Sequence, residues 1–223
     1  MPLTIYRKKR NFEVSPEPSG ETIRPGAKEK LLYVIQKHRA TQLHYDFRLE
    51  FNGVLLSWAV PKGPSLDPSV KRLAMQVEDH PRDYGDFEGV IPEGEYGGGT
   101  VMVWDTGEWS PESKDVEVAL AKGDLKFTLR GKKLKGSWVL VRTHGYGSKE
   151  GKSWLLIKHR DEFASTRDIT AEEPRSALSH RLLADIARDG GGDALKAASG
   201  DPQEKLKSVA KKAASTKNKR GKS

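Results

Sequence analysis

Between positions 44 and 51 the chain alternates without a break. His44, Asp46, Arg48 and Glu50 stand in one register, Tyr45, Phe47, Leu49 and Phe51 in the other, and Asn52-Gly53 follows at once. Successive side chains of a strand leave on opposite faces, so this two-residue period suits extended backbone. A helix, with its period of about 3.6 residues, would scatter both sets. Asn-Gly between two such runs is a strong hairpin signal, because both residues tolerate the positive φ of a tight I′ turn. The same rhythm of short apolar runs and Gly, Pro or Asp punctuation continues over 31–164 and predicts strands at 31–38, 44–51, 54–60, 71–80, 100–105, 124–130, 136–142 and 153–159. So many strands with so little helical pattern must hide their edges. The fold class is therefore read as all-β, a compact antiparallel β-barrel of about eight strands.

The flanks differ. Residues 1–28 carry Pro16, Pro18 and a basic run from Arg7 to Arg10, and read as an extended N-terminal arm. The barrel domain is placed at 29–165 and a helical extension at 166–189, where Leu178, Leu182, Leu183 and Ile186 predict one amphipathic helix over 176–188. Residues 190–223 have no apolar stripe and read as a disordered basic tail. That tail holds nine Lys or Arg against three Asp or Glu, six of the eight net positive charges of the 223-residue chain. The cation is therefore the tail, and it suits a polyanionic partner. With no cysteine, disulfide scaffolds, thiolate metal sites and cysteine nucleophiles are excluded. No run approaches the ~20 apolar residues of a membrane span and no signal-peptide pattern opens the chain, so a cytoplasmic protein without a membrane partner is expected.

The polar register of 44–50 carries chemistry. His44 and Asp46 can converge on one ion, with His38 returning from the preceding strand as third ligand. Two imidazoles and a carboxylate suit Mn²⁺, Zn²⁺ or Fe²⁺ and leave positions open for water or substrate. Arg48, next along the row, can fork onto an oxyanion beside that ion. Arg72, Ala74, Gln76, Glu78 and His80 share parity on a second predicted strand, and small Ala74 suggests a cleft wall. His80 could donate a proton or hold a phosphoryl oxygen. Lys62 and Tyr84 lie on tight loops next to these strands and are further candidate phosphate contacts. A charged strand face is most often simply solvated, and His144, His159 and His180 read as ordinary residues. Trp58, Trp104, Trp138 and Trp154 read as core, and the glycine cluster at 94–99 as a bend. His44, Asp46 and a distal His80 would also spell the facial triad of a non-haem Fe(II) oxygenase. A third reading is a non-catalytic scaffold that grips DNA ends.

The run from Gln36 to Glu50, the stretch Ser57-Trp58-Ala59-Val60-Pro61-Lys62-Gly63-Pro64, and the segment from Glu78 to Gly97 resemble the 3′-phosphoesterase domain of the bacterial ATP-dependent DNA ligase D, over about residues 5–165. The resemblance implies a Mn²⁺-dependent β-barrel enzyme that removes a 3′-terminal ribonucleoside and then the 3′-phosphate, leaving 3′-OH ends for non-homologous end joining. It implies His38, His44 and Asp46 as metal ligands. Arg48, His80, Lys62, Arg72 and Tyr84 fall around the reacting phosphate, and Glu78 matches an acid needed for activity. Arg10, Asn11, Glu17 and Gln36 correspond to substrate-binding positions. Asn11 stands where the family commonly has Asp, which bears on the ribonucleoside-removing step. The expected partners are primer–template DNA ends and other end-joining proteins such as a DNA ligase, with the chain itself a monomer in bacterial cytoplasm. No Lys-x-Asp-Gly adenylation motif occurs, so sealing is not expected here, and the chain reads as a free-standing phosphoesterase or an excised domain with a basic extension.

Overall fold

The computed structural model describes residues 3–20, 30–143 and 151–202. Asn52 and Gly53 adopt φ of +49° and +79°, the I′ geometry their chemistry favours, and join strand β2 (Leu43–Phe51) to β3 (Val54–Val60). Strand β1 (Leu31–Arg39) pairs antiparallel with β2 so that His38 faces His44, Gln36 faces Asp46 and Val34 faces Arg48. The sheet continues through β4 (Arg72–Gln76), while β5 (His80–Pro81) pairs separately with β3 and β6 (Gly89–Ile91) with β7 (Gly99–Pro111). Strands β8 (Asp124–Gly131), β9 (Lys135–Arg142) and β10 (Ser153–Lys158) complete it. The order β1-β2-β3-β4-β10-β9-β8-β7 returns to β1 through a β1–β7 pairing. Among the described residues eight strands thus close an antiparallel barrel, as the alternation predicted.

Closure decides which face is core. Tyr45, Phe47 and Leu49 of β2 point inward, with Trp58, Trp104, Trp138 and Trp154 wholly buried among them. The polar register of β2 lies on the outside of the wall. It is not a solvated surface, however: Asp46, Arg48 and Glu50 are all buried. The N-terminal segment packs on this side of the wall, its Leu3 and Tyr6 joining Val34, Leu55, Tyr84 and Val103 in a second apolar cluster outside the barrel.

That segment departs from the extended arm predicted. Thr4–Lys8 form a helical turn, α1, whose fully buried Tyr6 donates its hydroxyl hydrogen to the Pro18 carbonyl at 2.6 Å. The prolines that favour extended backbone come later, at 16 and 18, and the burial of Tyr6 supplies what propensity does not. A short helix α2 (Val116–Lys122), absent from the expected elements, is capped by the Asp115 side chain. The predicted strand 71–80 is broken at 77–79: β4 ends at Gln76, and β5 rejoins β3 with Leu55 opposite His80. Parity does not carry across the break. Ala74 is therefore barrel core and not cleft wall.

The predicted helix 176–188 is shorter, forming only as α4 (Leu183–Asp189), after α3 (Ile169–Glu172). His180 at φ +58° interrupts it, and Ser176 Oγ instead accepts from the Leu178 and Ser179 amides. Residues 190–202 of the expected disordered tail are folded: α5 (Ala194–Ala198) packs against α4, and Asp201 accepts from the first amides of α4. The apolar sides of α4 and α5 cover Met102 on the outside of β7. The rest of the tail and His144 lie outside the described residues. No described helix is long and apolar enough to cross a membrane.

Candidate metal centre

The β1–β2 register brings His38 and His44 face to face, with ring centroids 4.7 Å apart, and Asp46 sits one side-chain period further along β2. One ligand atom from each of the three lies within 4.8 Å of the other two. Asp46 Oδ2 is 3.7 Å from both His38 Nδ1 and His44 Nε2. The opposite ring nitrogens are already engaged: His38 Nε2–H donates to the Gly97 carbonyl at 2.8 Å and His44 Nδ1–H to the Gln42 carbonyl at 3.1 Å. Each bond fixes the tautomer that leaves a lone pair facing Asp46, the outer support a ligating imidazole needs. The Gly97 carbonyl is presented by backbone at φ +82°, and a Cβ on Gly98 would meet the Pro92 oxygen at 2.8 Å, so glycine is required in this bend.

Electrostatics favour the ligand-ready state. Burial would raise the Asp46 carboxyl, but Arg48 Nη2 at 3.2 Å, together with the two imidazoles, holds it well below the usual carboxylate range. Burial lowers the His44 imidazole and outweighs the raising effect of the Asp46 carboxylate, with His38 and Arg48 adding to the downward shift. Two imidazoles and an ionised carboxylate fit a divalent transition metal.

Arg48 is fixed on several sides. Its Nε donates to Gln36 Oε1 at 2.8 Å and its Nη1 to Ser57 Oγ at 2.8 Å, and Nη1 also lies 2.9 Å from His80 Nδ1. Gln36 is in turn anchored by donating to the Tyr84 and Phe87 carbonyls. On the other side of His80, Arg10 Nη2 approaches Nε2 at 3.0 Å. Burial, then the two guanidiniums, push the His80 imidazole well below its ordinary range, so it stands here as a neutral partner and not as a cationic acid. Arg10 bridges to Glu17 at 2.9 Å and to Glu78 at 3.3 Å. Glu17 also accepts from the Tyr84 hydroxyl at 3.0 Å and from Ser15 Oγ at 2.8 Å. Burial raises the Glu78 carboxyl, but backbone hydrogen bonding and Lys9 outweigh it and the net shift is downward.

His38, His44, Asp46, Arg48, His80, Glu78, Tyr84 and Arg10 thus line one open cleft of about 310 Å³. Glu17 and Gln36 stand behind it as supports. Lys62 is exposed on its loop and does not line the cleft. Arg72 lies within electrostatic reach of Asp168 beside α3 and does not line the cleft either, because the break after Gln76 separates it from Glu78 and His80. Asn11 is exposed and turns back on its own chain, its Oδ1 accepting from the Glu13 amide. The third group beside His44 and Asp46 is His38, while His80 belongs to the arginine side. Sequence reasoning missed Ser57, Lys9 and Tyr96. Ser57 was accessible in principle, since it stands opposite Arg48 in the β2–β3 register.

Residues 36–142 match the family model described as the DNA Ligase D 3′-phosphoesterase domain. The chain is 53% identical over 185 residues to the multifunctional non-homologous end joining protein LigD of Pseudomonas aeruginosa, covering 82% of this chain and 22% of that protein. It is 44% identical over 143 residues to the multifunctional non-homologous end joining DNA repair protein LigD of Mycobacterium tuberculosis, covering 64% of this chain and 18% of the relative. To the Mycolicibacterium smegmatis protein of the same description it is 40% identical over 166 residues, 72% of this chain and 21% of the other. The chain spans about a fifth of the length of these curated relatives.

Proposed function

Since the chain belongs to the DNA ligase D 3′-phosphoesterase domain family, we propose that it is a Mn²⁺-dependent phosphoesterase that restores 3′-OH ends on DNA. In this reading it removes a terminal 3′-phosphate and a terminal 3′-ribonucleoside in the setting its relatives' names give, non-homologous end joining in bacteria. The observation that carries the proposal is the ligand triad with its tautomers fixed and a guanidinium 3.2 Å from the shared carboxylate oxygen. Two guanidiniums in one cleft suit a phosphate better than dioxygen, which sets the oxygenase reading second.

His38 Nδ1, His44 Nε2 and Asp46 Oδ2 would hold the ion. A divalent metal bound there supplies Lewis-acid polarisation of a phosphoryl oxygen. The chain's own residues orient the ester. Arg48, whose Nε and Nη1 are tied to Gln36 and Ser57, has Nη2 on the ligand side to pair with a non-bridging oxygen. Arg10 reaches the same cleft from the N-terminal segment, held by Glu17 and Glu78. Tyr6 and Tyr84 pack against His80 and keep water from that side. Preorganised donors of this kind are worth about 2.7–4 kcal/mol each in well-studied sites.

The test is a primer–template ending in a 3′-phosphate and a second ending in a 3′-ribonucleotide, each incubated with Mn²⁺. Conversion of the first to a 3′-OH is expected, and binding without conversion would leave the end-gripping scaffold as the answer. The second substrate reads the effect of Asn11 separately.

A further inference from the structure

Tyr96 is 48% exposed, yet it lines the same cleft as the metal-ligand group and Arg48. The next residue, Gly97, gives the carbonyl that fixes His38, so the phenol is mounted one residue from the ligand shell. Lys9 Nζ sits 4.4 Å from the ring centroid and donates to the phenolic oxygen at 3.0 Å, and the Arg10 guanidinium is 5.7 Å from the same centroid. The ring is therefore held at the cleft mouth with about half its surface open and cations beside it. Among the described residues the other exposed aromatic, Phe163, belongs to a separate hollow with Lys132 and Arg167. The five tryptophans are buried in the barrel.

We propose that Tyr96 is a nucleobase subsite: the aromatic ring on which the base of the 3′-terminal nucleotide stacks while its phosphate occupies the cleft. The assignment rests on the proposed phosphoesterase reading. Every base presents a π-face, so stacking grips an end without reading its sequence, as trimming of arbitrary breaks requires. Lys9 and Arg10, next to the ring, place positive charge along the sugar–phosphate that joins base to cleft.

The test compares a 3′-phosphate end whose last nucleotide carries a base with one whose last nucleotide is an abasic tetrahydrofuran. In the wild-type chain with Mn²⁺ the base-bearing end should be favoured in kcat/KM by roughly 5- to 150-fold, carried mainly by KM. Tyr96→Ala should collapse that ratio toward one and Tyr96→Phe should keep it. An unchanged ratio in Tyr96→Ala, or a Phe variant as impaired as the Ala variant, overturns the subsite. A second arm needs no turnover: a terminal 2-aminopurine should be quenched by wild type and Tyr96→Phe and not by Tyr96→Ala. Tyr96-dependent quenching from a protein that converts no 3′-phosphate would retire the phosphoesterase reading and keep the subsite. Quenching that ignores the ring would retire the subsite alone.

Discussion

Replacing Gln36 by Leu keeps the approximate volume of a fully buried side chain and deletes three hydrogen bonds. One is accepted from Arg48 Nε at 2.8 Å; the others are donated to the Tyr84 and Phe87 carbonyls at 2.9 and 3.1 Å. A bond to a charged group is worth about 1.5–3 kcal/mol and a neutral one about 0.5–1.5 kcal/mol, and the stranded partners here stay buried. The variant should therefore lose about 3–5 kcal/mol, a large share of the ~5–15 kcal/mol that holds a domain together. With an m value of about 2 kcal/mol/M the urea midpoint falls by roughly 1.5–2.5 M, followed by far-UV circular dichroism. The double variant Gln36→Leu/Arg48→Met should cost less than the sum of the two single variants, because the Arg48–Gln36 bond is lost only once. The same reasoning predicts at least tenfold slower removal of a 3′-phosphate with Mn²⁺ binding retained, since Arg48 loses its rear support while the ligands do not. A loss below ~1 kcal/mol, or strict additivity in the double variant, would refute the view that Gln36 organises Arg48.

Asp46→Asn and His44→Ala should abolish turnover and weaken Mn²⁺ at least tenfold by calorimetry while the far-UV spectrum is kept; undiminished turnover in either would remove the triad from the chemistry. Chelation with EDTA should silence the wild-type enzyme, and added Mn²⁺ should restore it. Asp79, pushed up to about 6 by burial and then by Glu78, is more easily protonated in the fold than in the open chain. Its contribution is neutral below the unfolded value near 4, grows into a penalty between about pH 4 and 6, and is complete above 6. Asp79→Asn should thus stabilise by about 1–2 kcal/mol at pH 7.5, discounted for partial exposure, and by nothing at pH 3.5, as measured by urea unfolding. Removing residues 203–223, which hold eight Lys or Arg, should make log affinity for DNA less salt-dependent by a slope of about 4.5 if five of them meet phosphates.

Much of the barrel was legible because a strand writes its period directly into the sequence. The run from His44 to Phe51 names its own faces, and Asn52-Gly53 names its turn. His44 and Asp46 were legible together because they share one face two residues apart, and His38 because the same hairpin must return past them. What the period could not convey was the third dimension. Ser57 reaches Arg48 across a strand pair, Tyr96 and Gly97 reach the ligands from a bend, and Lys9 and Arg10 come from a segment that packs only once the wall exists. The run from Arg72 to His80 shows the opposite error: parity was carried through 77–79, where the chain changes partner strands, and placed Arg72 and Ala74 on a face they do not share with His80. The helix read over 176–188 was shortened by one residue, His180, whose left-handed backbone no apolar spacing reveals.

The β1–β7 seam brings Gln36 opposite Val103 and His38 opposite Val101. These partners are remote in the chain, whereas His38, His44 and Asp46 all belong to the local β1–β2 hairpin. Contacts of long sequence separation are costly in loop entropy and form slowly. During folding, then, the three ligands should meet before the Gly97 carbonyl that orients His38 arrives with β7, and tight ion capture should wait for the seam to zip. Stopped-flow mixing with Mn²⁺ would use the site as a clock for the last step of barrel closure.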